Sequence, residues 1–112
     1  MYKPIKLQTK EKDFQYFVER CNFWLNKIHL NNWYVSYEHV DLGDTCYAQS
    51  QGWIARWKAV IRLNKNWSNN GDQKSVDKES LDIIARHEVL HILMLHPEEE
   101  VVARLTKIIQ YV

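Results

Sequence analysis

An α+β fold, with one sheet of three strands accompanied by helices, is the architecture this sequence predicts, and three observations predict it. Residues 9 to 30 carry apolar side chains at helical intervals, residues 33 to 63 alternate with period two in three stretches, and residues from 75 onward return to helical spacing. No internal repeat, low-complexity stretch or linker interrupts the chain, so residues 1–112 are expected to form a single domain. A length of 112 residues supports one modest core and leaves no room for a second catalytic unit.

The first helix follows from Phe14, Phe17, Val18, Cys21, Trp24, Leu25 and Ile28, which recur every three or four residues as one stripe. Thr9 is its expected cap, Glu11 and Asp13 suit the positive end of the dipole, and Asn31-Asn32 is the expected stop. Trp33 to Val40 reads as a strand with Trp33, Val35, Tyr37 and His39 on one face. Asp41-Leu42-Gly43-Asp44 has turn chemistry, after which Thr45 to Ser50 returns as a second strand that Gly52 ends or bulges. In the third strand, Trp57 to Leu63, the residues Trp57, Ala59, Ile61 and Leu63 form the apolar face. The three strands are expected to make a mainly antiparallel sheet.

Asn64 to Lys74 is rich in turn formers and reads as a loop. A second helix is expected from Ser75, as cap, to about Leu95, with Asp77 and Glu79 in its first turn. Between Ile83 and Leu95 it is apolar almost all round, which implies packing on more than one side. Pro97 opens a last helix with Glu98-Glu99-Glu100 in its first turn and the stripe Val101, Val102, Leu105, Ile108, Ile109 and Val112. Trp33, Trp53, Trp57 and Trp67 are expected mainly as core, the alternative being a groove for peptide or for base stacking.

A hydrophobic content of 46% excludes a disordered chain, and a formal charge of +1 excludes a global field that would draw nucleic acid or an anionic membrane. Lys3, Lys6, Lys10 and Lys12 form a local basic cluster, read as a solvated start with phosphate contact as the alternative. Cys21 and Cys46 lack ligand spacing and are expected as free thiols in a reducing compartment. No apolar run reaches signal or membrane-spanning length, so a cytoplasmic address without a membrane partner is expected.

The chemistry lies in His87-Glu88-Val89-Leu90-His91. Two histidines four apart stack on one helical face, close enough for both rings to reach one ion at about 2.0–2.1 Å. Glu88 is turned by about 100° from His87, so it need not ligate and can take the proton of an attacking water. Zinc is the expected ion, and a catalytic zinc needs a third protein ligand. Glu98 falls near the centre of the last helix's inward stripe and is the leading candidate. His96 is next, although its direction after the helix end is not set and it can equally cap the following helix, and Glu99 is a further alternative. Glu99 and Glu100 point away from the stripe and answer to the helix dipole.

Arg86-His87-Glu88-Val89-Leu90-His91, followed by Glu98-Glu99-Glu100-Val101-Val102-Ala103-Arg104-Leu105, resembles the minimal zincin-like metallopeptidases, among them small phage and prophage proteins and the ImmA/IrrE and SprT-like groups. The helix and three strands before the motif are similar to that core, so the resemblance spans most of the chain, although its one specific motif is five residues long. It implies a gluzincin in which His87, His91 and Glu98 hold zinc and Glu88 is the catalytic acid/base. It also implies that the third strand is an edge along which an extended peptide pairs. The glycine turn and third histidine of metzincins, the cysteine-rich ribbon of many SprT-like proteins and the helix-turn-helix of many ImmA-like ones are not in this sequence.

The implied activity is zinc-dependent cleavage of a specific cytoplasmic protein, in the host cytoplasm if the chain is phage-encoded. The alternative is a catalytically silent zinc-binding protein that docks to a host or regulatory partner. Nucleic acid is expected only through recruitment, and the sequence does not set the oligomeric state.

Overall fold

The computed structural model describes residues 7–44, 46–67 and 75–110. Its elements follow the order α1 (Glu11–Lys27), β1 (Tyr34–Val40), β2 (Ala48–Trp53), a short 3-10 turn (Ile54–Arg56), β3 (Lys58–Asn64), α2 (Lys78–Leu93) and α3 (Glu98–Gln110). The fold is α+β, with three helices and one sheet, and no helix among the described residues is long and apolar enough to cross a membrane.

α1 forms where its stripe predicts, burying Phe17, Cys21 and Leu25. Its cap differs from expectation. Lys10 is the N-cap residue, its amide donating to Asp13 Oδ2 at 2.7 Å, while Thr9 turns inward. The hydroxyl of Thr9 donates to Asn64 O at 2.8 Å and lies 2.7 Å from His39 Nε2, so His39 is the donor in that second bond. The helix ends before Asn31-Asn32, with His29 in the left-handed region at φ 61° and the Leu30 amide bonded back to Leu25 O at 2.7 Å. α2 likewise starts later than Ser75. Asp77 caps it, accepting from the Ser80 amide at 2.7 Å, and Ser75 donates to the same carboxylate.

The sheet corrects two expectations. Its order is β1-β3-β2, with β1 parallel and β2 antiparallel to β3, so it is mixed and not mainly antiparallel. The third strand is central, and the edges are β1 and β2. The turn at Asp41 to Asp44 therefore does not fold β2 back onto β1. It crosses the end of β3, where buried Asn64 holds it with all four of its side-chain hydrogen bonds. Asn64 Nδ2 donates to Gly43 O at 2.9 Å and Cys46 O at 2.7 Å, while Oδ1 accepts from the amides of Leu42 at 2.8 Å and Asn66 at 3.0 Å.

One face of the sheet is covered by α1 and α2. Ala59, Ile61 and Leu63 of β3 meet Phe17, Cys21 and Leu25 of α1 and Leu81, Ala85, Val89, Ile92 and Leu93 of α2 in a single core, as strand alternation predicts. Trp33 and Trp67 are buried there, whereas Trp53 and Trp57 are exposed and depart from the expectation for large aromatics. α2 packs on more than one side, against α1 and β2, while its Ile83 and Leu90 stay exposed.

Candidate metal centre

α2 lies against β2, and the approach depends on small side chains. Ala48, Ser50 and Gly52 alternate along β2 toward the helix. At Gly52 a Cβ atom would stand 2.5 Å from Leu95 Cδ1, the tip of a flexible side chain that would have to swing aside, and in ordinary contact at 3.5 Å with the ring of Trp33. The resulting cleft of about 480 Å³ is lined by Cys46 and residues 48–52 on one side and by His87, Glu88, His91, Ile92 and Leu95 on the other.

Within this cleft the helix brings together three of the residues marked in the sequence. His87 Nε2 and His91 Nε2 are 2.9 Å apart with their rings edge to face, and a carboxylate oxygen of Glu88 completes a group whose ligand atoms all lie within 4.8 Å of one another. Two nitrogens bound tetrahedrally to one ion at about 2.0–2.1 Å would be about 3.3 Å apart, so a few tenths of an ångström of ring movement would admit it. Imidazole nitrogens suit zinc, copper, iron or nickel alike. Both histidines are exposed to the cleft and Glu88 is buried.

A buried carboxylate with no lysine or arginine partner among the described residues is costly, and burial raises the pKa of Glu88 above its ordinary range. A hydrogen bond from the Ser50 hydroxyl and the neighbouring His91 and His87 pull it partly back. Ser50 is the residue that sequence reading missed. Its signal was the small-residue alternation of Ala48, Ser50 and Gly52, which extends the second strand past Ser50 to Trp53.

Of the third-ligand candidates, neither His96 nor Glu99 is in this group. His96 is buried in an aromatic box beside Trp33 and Trp57, where its Nε2 accepts from Trp33 Nε1 at 2.9 Å and its Nδ1 lies 3.0 Å from Glu100 Oε1. With its Nε2 accepting from Trp33, His96 is packed away from the grouped ligand atoms of His87, Glu88 and His91. Glu98 opens α3, but its side chain lies outside the described residues, and Glu99 is exposed. Cys46 is half-buried in the cleft wall, whereas Cys21 is wholly buried in the core, where desolvation drives its thiol far up.

β2 also presents its outer edge at this cleft. The Asn64 amide bonds Tyr47 O at 2.9 Å, which fixes the alternation of the antiparallel ladder. Backbone groups of Gln49, Gln51 and Trp53 therefore point to β3, and those of Ala48, Ser50 and Gly52 point to the open edge.

Comparison with protein-family models, with curated proteins and with solved structures gave no match to this chain.

Proposed function

We propose that the protein is a zinc-dependent peptidase of zincin type that takes an extended peptide along β2. The observation that carries this reading is the convergence of His87 Nε2 and His91 Nε2 at 2.9 Å beside a buried Glu88, in a cleft walled by a strand edge. The order of helix, strands and motif helix supports it as well.

When bound, zinc polarises a carbonyl and brings the pKa of water to about 7. His87 and His91 would hold it through Nε2. Glu88 takes the proton of the attacking water on its carboxylate and returns it to the leaving amine, and its upward shift moves it toward the range where a general base works near neutrality. The Ser50 hydroxyl fixes the orientation of that carboxylate. The open groups of Ala48, Ser50 and Gly52 would pair with the peptide backbone, so β2 takes the role expected of the third strand.

Metal analysis and thermal unfolding of the wild type, His87→Ala and Glu88→Gln test this. The wild type should retain stoichiometric zinc, and zinc at about a thousand times its Kd should add roughly 4 kcal/mol, or roughly 15–20 °C in Tm. His87→Ala should lose both effects. Glu88→Gln should keep the metal and lose cleavage of unstructured peptides read by mass spectrometry. A wild type that holds no zinc and ignores His87→Ala sinks the metal reading. Full biological activity in Glu88→Gln leaves a protein that works by docking.

A further inference from the structure

The outward face of the sheet, opposite α1 and α2, carries side chains that the cleft does not use. Alternation sends Tyr34, Ser36 and Glu38 of β1, Lys58, Val60 and Arg62 of β3, and Gln49, Gln51 and Trp53 of β2 to this side. The register places Tyr34 beside Lys58 and Lys58 beside Trp53, so a lysine position lies between two aromatic positions in one row across three strands. Tyr34 is 74% exposed and Trp53 46%, far more than such rings need be in a chain with a core to place them in.

The rest of the face shows what this row is free to meet. Two rows away, Arg62 is tied down, its Nε donating to Glu38 Oε1 at 2.7 Å and its Nη1 to Gln49 Oε1 at 3.3 Å, which neutralises the one acid there. Lys58 and Arg56 have no such partner among the described residues. They border a concavity of about 590 Å³ that Tyr34, Trp53 and Val60 also line.

We infer that this face binds single-stranded nucleic acid, with bases stacked on Tyr34 and Trp53 and phosphates on Lys58 and Arg56. Exposed flat rings interleaved with unpaired cations are the elements of sequence-tolerant single-strand binding. The two rings sit two strand spacings apart, about 9–10 Å, which suits bases splayed from a strand that crosses the sheet. In a duplex the bases stack on each other and leave only phosphate contact. A second copy seated symmetrically on the row would bring Lys58 and Arg56 toward their own counterparts, which charge opposes. The low net charge of the chain is no obstacle, because the contact is local. The surface lies on the opposite side of the sheet from His87 and His91, so the inference stands apart from the metal reading.

The test is fluorescence anisotropy of a labelled twelve-nucleotide deoxythymidine strand at low salt. Saturable binding is expected below about 0.1 mM protein. Trp53→Ala should weaken it about tenfold, the lower part of the range for one lost stacking platform, and Trp53→Phe should recover most of that. Lys58→Gln should lower the salt slope by about 0.7. A duplex of the same length should compete at least tenfold less well. Absence of saturation, equal competition by duplex, or binding that ignores both Trp53→Ala and Lys58→Gln in folded variants overturns the inference. So does a dimer in sedimentation that only Trp53→Ala and Lys58→Gln dissolve.

Discussion

Replacing Asn64 by aspartate changes one atom at the crossing of the chain over the sheet. Oδ1 keeps its bonds from the Leu42 and Asn66 amides, but Nδ2 becomes an oxygen facing Gly43 O and Cys46 O, which lie 2.9 and 2.7 Å from the nitrogen in the native protein. Two hydrogen bonds of about 1 kcal/mol each are lost, and two acceptor pairs are brought together in a buried site at a further cost of about 1–3 kcal/mol. The expected destabilisation at pH 7 is therefore about 3–5 kcal/mol, a large part of the about 5–15 kcal/mol that holds a domain of this size. Urea unfolding followed by circular dichroism should show the midpoint falling by roughly 2 M at a slope of about 2 kcal/mol/M. The introduced carboxyl regains a donor when protonated, so its folded pKa lies above its unfolded value of about 3.9. The penalty should thus be smallest below about pH 4 and grow as pH rises through the folded pKa. A loss under about 1 kcal/mol at pH 7, or a penalty that does not shrink on acidification, would refute the clamp.

Two further effects follow from ionisable groups elsewhere. Asp82 ties α2 to α1, accepting from Arg20 Nε at 2.7 Å and Trp24 Nε1 at 2.8 Å; burial alone would raise its pKa, but these bonds outweigh it and hold the carboxyl below its ordinary value. Its stability contribution is present above pH 3.9 and lost as pH falls through the depressed pKa, so wild type and Asp82→Asn should differ by about 1 kcal/mol at pH 7 and converge in acid. A difference that persists in strong acid would contradict this. Under native conditions a maleimide should modify half-buried Cys46 alone, Cys21 reacting only on unfolding, because burial keeps its thiol protonated; peptide mapping that finds Cys21 labelled first would overturn that order.

The elements themselves were legible because each is written in a local period. Phe17, Cys21 and Leu25 state the buried face of α1, and Ala59, Ile61 and Leu63 state that of β3. Strand order is not local. Asp41 to Asp44 has the composition of a hairpin turn, and nothing within it reveals that a residue at the far end of β3 will bind its backbone and carry it across. The resemblance implied an edge role for β3, whereas it pairs on both sides, and Lys58 and Arg62 belong to its uncovered face. The apolar content of α2 announced packing on more than one side, which α1 and β2 provide, but not which of its apolar residues stay exposed.

The site divides in the same way. The pairing of His87 with His91 is helix geometry and follows from their spacing, while the contact between Glu88 and Ser50 exists only because β2 packs on α2. That contact depends on register. Ala48, Ser50 and Gly52 face the helix, and Gln49, Gln51 and Trp53 face the other side with Tyr34 and Lys58. A slip of one residue along β3 would turn Gln51 or Trp53 toward the cleft and remove Ser50 from Glu88, and it would also break the aromatic row on the outer face. Asn64, by holding Gly43 and Cys46 just before the strand begins, sets the register for both surfaces. The buried amide that the sequence placed at the start of a loop therefore governs a cleft and a sheet face that it does not touch.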